Sequence, residues 1–202
     1  MGLLDSFSFK VAEHEWEFEA IHALNYKTFV EEIPQHAINH KKRLVDKFHD
    51  QNTYIICVNE ERKELAGMIA YRDQRPFSLD SKVEHLDSHL PAVDKICEIR
   101  LLAVEEAYRY TRISQGLIAL LTEYADDQCC ELFVISATVR QIKLYKYLGF
   151  TPFGPLVGSE GAEYQPMYAR IEAYRDLQGR SRSFAKDTPA LANDDTMLFN
   201  FL

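Results

Sequence analysis

The chain has 202 residues, a formal net charge of -8, 47% hydrophobic residues and 27% charged residues. A chain of this length buries roughly 70% of its unfolded surface when it folds, and the composition excludes a disordered, fibrous or low-complexity protein. The negative balance argues against nonspecific nucleic-acid binding, which needs a dominant positive field.

The opening residues, MGLLDSFSFKV, lack a basic segment followed by a long apolar one, and no apolar run approaches the roughly 18 residues of a membrane span. A cytoplasmic chain with no membrane span is expected. Phe7 to Glu13 reads as a first strand. Phe18 to Glu32 reads as an amphipathic helix with Ile21, Leu24, Phe29 and Val30 on its apolar side, ended by Pro34. A second helix is expected from Asn39 to Phe48. Two strands, Thr53 to Val58 and Leu65 to Tyr71, are joined by a short polar loop, the pattern of an antiparallel hairpin.

Residues 74–94 are charged, hold two prolines and lack clear periodicity, which leaves either a loop with one short helix or an inserted segment facing a substrate. Ile96 to Val104 is the next strand, Ile113 to Ala125 a helix, Glu131 to Thr138 a buried strand, and Val139 to Leu148 a helix closed by Gly149. Two strands follow, Thr151 to Val157 and Glu163 to Ile171, around the turn GSEG. From 175 to 202 the composition is that of a tail or linker.

Cys57, Cys97, Cys129 and Cys130 have no metal-ligand spacing, and adjacent cysteines do not bridge easily, so reduced structural thiols are expected. The histidines show no ligand spacing either. His36, His40 and His49 read as solvated, and no metal site is expected. Gly116 inside a helix lowers its propensity and points to close packing on the sheet.

The chemistry concentrates in CEIRLLAVEEAYRYTRISQGLIALL, residues 97–121. Period-two alternation puts Cys97, Ile99, Leu101 and Ala103 on one side of the strand and Glu98, Arg100, Leu102 and Val104 on the other. Two charges on an otherwise apolar central strand must pair with each other or face a wet cleft. The first reading makes Glu98 and Arg100 a self-satisfied pair, and the second makes Glu98 a general base. The strand leads through Arg109 and Arg112 into a helix whose first amides have no intrahelical partners, a ready anion site.

Two blocks in this chain resemble the GNAT superfamily of acyl-CoA-dependent N-acyltransferases. LLAVEEAYRYTRISQGLIALL, at 101–121, is similar to the family's LAVxPxYRGxGIGxxL block, and LYKYLGFTPFG, at 144–154, to its LYEKLGFxxxG signature. NYKTFVEEIPQ and VDKFHDQNTYIICV more loosely resemble the N-terminal half of the N-acyl amino acid synthases and acyl-homoserine-lactone synthases, which extends the likeness over about residues 7–172. The resemblance implies a single α/β (α+β) domain over 1–174, with a mixed, mostly antiparallel sheet of about six or seven strands flanked by helices and splayed at the central pair.

By position it implies that Leu102, Ala103 and Val104 offer the edge that binds the pantetheine arm. It also implies that Arg109, Tyr110, Thr111, Arg112, Ile113, Ser114 and Gln115 cradle the pyrophosphate. Arg112 and Ser114 stand where the family usually has glycine or alanine, so Arg112 would add its guanidinium to a phosphate, or the donor differs from CoA. Glu98 matches a family general base and Tyr145 the family acid that protonates the departing thiolate, although core packing of the Tyr145 ring is its alternative. Arg140 and Lys143 read as solvated helix surface. The implied reaction is acyl transfer, acetyl by default, from acetyl-CoA or another acyl-CoA to a small-molecule amine. Acyl carrier protein with a long acyl chain is an alternative donor, and a noncatalytic CoA-binding module fused to a partner enzyme is an alternative role. The acceptor's identity and the oligomeric state are not legible in the residues.

Overall fold

In a computed structural model, residues 6–109, 111–159, 162–172 and 175 are described. They form eight strands in a mostly antiparallel sheet with helices. The described residues divide into two compact units, one within 6–71 and 101–121, the other within 72–100 and 122–175. One strand, β4 (Ile96–Val104), runs through both.

In the first unit, β1 (Phe7–Val11) pairs antiparallel with β2 (Thr53–Asn59), and β2 with β3 (Glu64–Arg72). The β2–β3 hairpin is the one expected. Its turn is set by Asn59, whose Oδ1 accepts the N–H groups of Glu61 and Arg62, both at 3.1 Å, an Asx turn that reverses the chain. Every residue of β2 after Thr53 is buried, so both faces of the hairpin are covered. On one face Tyr54, Ile56, Met68 and Ala70 pack with Ile21 and Leu24 of α1 (Glu15–Tyr26). On the other lies the start of α2 (Ile113–Asp127). A Cβ on Gly67 would come within 3.2 Å of Ile113 and Leu117, and one on Gly116 would sit 2.4 Å from the Phe9 ring. Gly116 therefore lets β1 and α2 touch, as its place in the helix suggests.

The first helix starts earlier than the expected Phe18, because the fully buried Glu17 carboxylate accepts the N–H groups of Glu13 and His14 at 2.7 and 3.0 Å and pairs with Lys10. Burial alone would raise its pKa. Lys10 and the two amides outweigh burial and hold the carboxyl below its usual range. The last six residues of the expected helix, Lys27–Glu32, form a π-helical turn instead.

The helix expected from Asn39 to Phe48 does not form. Asn39 bonds the backbone of Arg43 in both directions, Lys42 is left-handed at φ 47°, and Leu44 N–H donates to the His22 carbonyl at 3.0 Å. The segment is tied to α1 rather than to its own preceding turn. His49, expected in solvent, is instead half-buried against His22, Phe18 and Tyr54. Burial pushes His22 below the usual histidine range, and neighbouring His49 and Arg43 push it further.

In the second unit, β5 (Leu132–Thr138) pairs in parallel with β4 and antiparallel with β8 (Ala162–Arg170), which also carries β6 (Thr151–Pro152) and β7 (Val157–Ser159). Residues 74–94 form a loop with one short 3₁₀ turn, Leu86–His89. Its Phe77, Leu79, Val83 and Leu86 join Leu132, Val134, Phe153 and Val157 in a second core. The helix expected over Val139–Leu148 is split into a 3₁₀ turn, Val139–Gln141, and α3 (Ile142–Tyr147). Gly149, left-handed at φ 86°, ends it, and Phe150 N–H closes on the Tyr145 carbonyl at 2.9 Å. The expected 175–202 tail lies outside the described residues apart from Arg175. Among the described residues no helix is long and apolar enough to cross a membrane.

Within β4, Leu101 has φ 55°. A bulky residue there costs about 1–2 kcal/mol, and burial along β4 does not alternate as expected: Cys97 and Glu98 are both buried, as are Ala103 and Val104.

Two outcomes test this packing. Gly116→Ala should lower stability by about 1–3 kcal/mol in denaturant titration, despite alanine's better helix propensity, because overpacking against Phe9 outweighs it. Combining it with Phe9→Leu should recover part of the loss. Because Glu17 titrates lower in the folded state, its contribution is present above the ordinary carboxyl range of about 4.3 and is lost as pH falls through the folded value. Glu17→Gln should therefore flatten the acid limb of a stability–pH profile.

Candidate functional site

The first unit carries the loop after β4. Glu105 N–H donates to the Ala66 carbonyl at 2.9 Å, and Lys27 Nζ donates to Glu105 at 2.6 Å. The Tyr108 hydroxyl accepts from Asn59 at 3.1 Å and donates to Glu64. Arg109 donates Nε–H to the Val104 carbonyl at 3.1 Å and pairs with Glu32 at the end of the π-helical turn. Thr111 Oγ1 donates to the Tyr108 carbonyl at 2.6 Å and receives a long bond, 3.4 Å, from Ile113 N–H. The loop is thus fastened at both ends and in the middle, a preorganised support for whatever binds at the helix start.

At that start, Gly116 N–H is bonded to the Arg112 carbonyl at 3.0 Å. The N–H groups of the first helical turn before it point out of the helix without intrahelical acceptors, where the helix dipole favours negative charge. Ser114 is 3% exposed and its Oγ has no partner among the described residues. An orphaned buried hydroxyl beside the N–H groups of Ser114 and Gln115, with Ile113 N–H only weakly engaged by Thr111, fits an anionic ligand at this turn. Arg112 is exposed and Gln115 half-buried, while Ile113 is a core residue with no exposure. Ala103 and Val104 are buried and Leu102 is half-buried. Tyr110 lies outside the described residues. Of the two arginines expected to hold phosphate, Arg109 is already engaged by Glu32 and the Val104 carbonyl, and it acts as a brace of the loop.

Glu98 and Tyr145 belong to the second unit. Glu98 is 1% exposed. Its Oε2 accepts Ser78 N–H at 2.8 Å and lies 3.6 Å from Arg100 Nε, and its Oε1 accepts the Ser78 hydroxyl. The expected Glu98–Arg100 pair is present, but Ser78 in the 74–94 loop is the closer partner. The β4–β5 register runs from Ile96 to Glu98 against Leu132 to Val134, so Glu98 sits at the end of the paired stretch. Tyr145 is half-buried on α3 with its ring edge-to-face on Phe150 at 5.7 Å. Burial pushes its phenol up to about 12, so it holds its proton at neutral pH. Arg140 and Lys143 are exposed.

Ser78, Glu32 and Lys27 were not singled out from sequence. The one available signal was the arginine and glutamate left without local partners. Among the described residues no group of three histidine, cysteine, aspartate or glutamate side chains could hold a metal ion.

The chain matches the family model described as N-acyl amino acid synthase FeeM over residues 20–171. No curated protein sequence matches it significantly. Among solved structures it is similar to BjaI, a CoA-dependent acyl-homoserine lactone synthase solved with SAM and isopentyl-CoA, at TM-score 0.69 and 20% identity, covering 83% of this chain and 82% of that one. It is also similar to FeeM, an N-acyl amino acid synthase from uncultured soil microbes, at TM-score 0.64 and 18% identity, covering 85% and 94%. A third is a protein from Lactobacillus plantarum described as a putative N-acetyltransferase, at TM-score 0.60 and 15% identity, covering 83% and 99%. These likenesses establish a GNAT-type fold, with eight strands among the described residues rather than the six or seven expected.

Ser78→Ala removes a donor from a buried carboxylate and should cost about 1–3 kcal/mol. Limited proteolysis should then cut within residues 74–94 faster than in the parent, while cleavage elsewhere keeps its rate.

Proposed function

Since this chain belongs to the family of the N-acyl amino acid synthase FeeM, and is an acyl-transferring enzyme, we propose that it moves an acyl group from an acyl-CoA to the amine of a small molecule, an amino acid in the reading we favour. The observation that carries this is the family match across residues 20–171, which begins within α1 and takes in the loop after β4 and α3. Membership in a family of enzymes sets aside the noncatalytic binding module.

The donor thioester supplies the electrophilic carbonyl and a thiolate leaving group. In this reading the N–H groups at the start of α2 and the Ser114 hydroxyl hold its pyrophosphate, with Arg112 approaching from the exposed side. The backbone of Leu102, Ala103 and Val104 orients the pantetheine arm. The Val104 carbonyl is already used by Arg109, so the remaining contacts fall to Leu102 and Ala103.

The amine must lose a proton before or as it attacks, and the sulfur must gain one as it leaves. Glu98 takes the first through a water or through the Ser78 hydroxyl that bonds it, and Tyr145 gives the second. A phenol at about 12 remains protonated across the working range and is stabilised in that form by burial. Acetyl-CoA is the starting donor. Longer acyl groups, delivered as acyl-CoA or on acyl carrier protein, are the alternative donors.

The test is thiol release by the purified chain with amino acids as acceptors and acetyl-CoA, long-chain acyl-CoA or acyl carrier protein as donors. Release with at least one donor, dependent on the amine, is the expected result. Glu98→Gln and Tyr145→Phe should each lower kcat by about 10²–10⁴-fold with little change in KM. Full turnover in both variants would remove them from the chemistry and leave Glu98 as the anchor of the 74–94 loop. Ser114→Ala should weaken donor binding without destabilising the fold, because the hydroxyl it removes is unpaired.

A further inference from the structure

Cys97 and Cys130 are far apart in sequence, yet their Sγ atoms lie 3.0 Å from each other in the second unit. Both residues are buried, at 0% and 2% exposure. Their backbones are fixed by regular pairing. Cys97 faces Phe133 in the β4–β5 register, Cys130 N–H donates to the Ala125 carbonyl at 2.9 Å, and Glu131 N–H donates to the Lys95 carbonyl at 3.0 Å. The separation exceeds the disulfide bond length of about 2.05 Å by only about 1 Å, a gap that side-chain rotation covers. We propose that Cys97 and Cys130 are a reversible redox site that closes into an intramolecular disulfide when the protein meets a peroxide.

The pair is chemically asymmetric. The Cys130 thiol donates to Cys97 Sγ at 3.0 Å and to the Leu132 carbonyl at 3.4 Å, while burial pushes Cys97 well above its usual range. In the proposed sequence Cys130, which lies next to the exposed Cys129, attacks first and Cys97 resolves. In the first step Cys130 sulfur displaces hydroxide from hydrogen peroxide. The O–O bond breaks, and with one proton the products are a sulfenic acid and one water. In the second, Cys97 sulfur attacks the sulfenic sulfur, the S–O bond breaks, and the Cys97 proton leaves with the hydroxyl as a second water. Two thiols lose two electrons and one peroxide gains them.

The other two cysteines supply internal contrasts. Cys129 is exposed, with a left-handed backbone at φ 58° that turns the chain so that Cys130 points inward. Cys57 is buried on β2, in the first unit, and burial pushes its thiol up to about 12, which leaves it inert.

The experiment treats the intact chain with hydrogen peroxide, quenches in acid, unfolds, alkylates the remaining thiols and maps the peptides by mass spectrometry. The expected product is one cross-linked peptide pair holding Cys97 and Cys130, with Cys57 alkylated, and all four thiols restored by dithiothreitol. Cys129→Ser should keep the cross-link. Cys130→Ser should abolish it and leave Cys97 alkylated. Recovery of both Cys97 and Cys130 in alkylated form from peroxide-treated parent protein overturns the proposal, as does cross-linking that runs through Cys129 or between chains. The parent protein alone decides the matter, so poor folding of either variant does not obscure it.

Discussion

Much of the second unit is arranged around one demand: the carboxylate of Glu98, held at 1% exposure in a central strand, must have hydrogen-bond donors. Arg100, two residues on, reaches it only at 3.6 Å. The N–H and hydroxyl of Ser78 complete the set, which obliges the irregular 74–94 segment to return to β4. Once there, that segment buries Phe77, Leu79, Val83 and Leu86 against Leu132 and Val134. A polar requirement thus positions an apolar contribution: the loop carries little regular hydrogen bonding of its own and is ordered by what it does for a neighbouring strand. The same carboxylate marks the last residue at which β4 pairs with β5.

The first unit solves a different problem, holding the start of α2 still with no glycine in the loop before it. Ion pairs and side-chain bonds do this from outside the loop. Glu32 and Lys27 come from the π-helical turn, and Asn59 and Glu64 from the two ends of the hairpin turn. Arginine at position 109 braces the backbone that precedes the helix, through the Val104 carbonyl and Glu32. Replacement of the usual glycines is consistent with a loop whose shape is fixed by its neighbours rather than by its own flexibility.

What could be read from sequence follows the range of the interactions involved. The hairpin, the bounds of β4 from Ile96 to Val104, the start of α2 at Ile113 and the stop at Gly149 were legible because alternation, helix starts and glycine caps act over a few residues. The helix expected from Asn39 to Phe48 was not, because its decisive bonds run to His22 and between Asn39 and Arg43 side-chain and backbone groups. Nothing about leucine announces a left-handed backbone at position 101, since the surrounding sheet imposes it. Within the site, the residue types at 98, 109 and 114 were identifiable. Their partners were not: Ser78 is 20 residues from Glu98 and Glu32 is 77 from Arg109. The closeness of Cys97 and Cys130 is likewise a product of the parallel register and is invisible in their spacing.

The close packing of Phe9 on Gly116, and of Gly67 on Ile113 and Leu117, bears on the order in which the protein comes into being. The first unit is discontinuous: its hairpin and first helix are made early, but the covering helix arrives only after the whole 72–100 excursion has been synthesised. Until then one face of β1–β3 has no partner from its own unit, and its apolar residues are open to other chains. Closure of that face is a long-range event, slower than formation of the hairpin. A chain emerging from the ribosome therefore carries a half-covered sheet through the interval in which residues 72–112 are made, and this interval, rather than the stability of the finished fold, sets its exposure to aggregation and to chaperones.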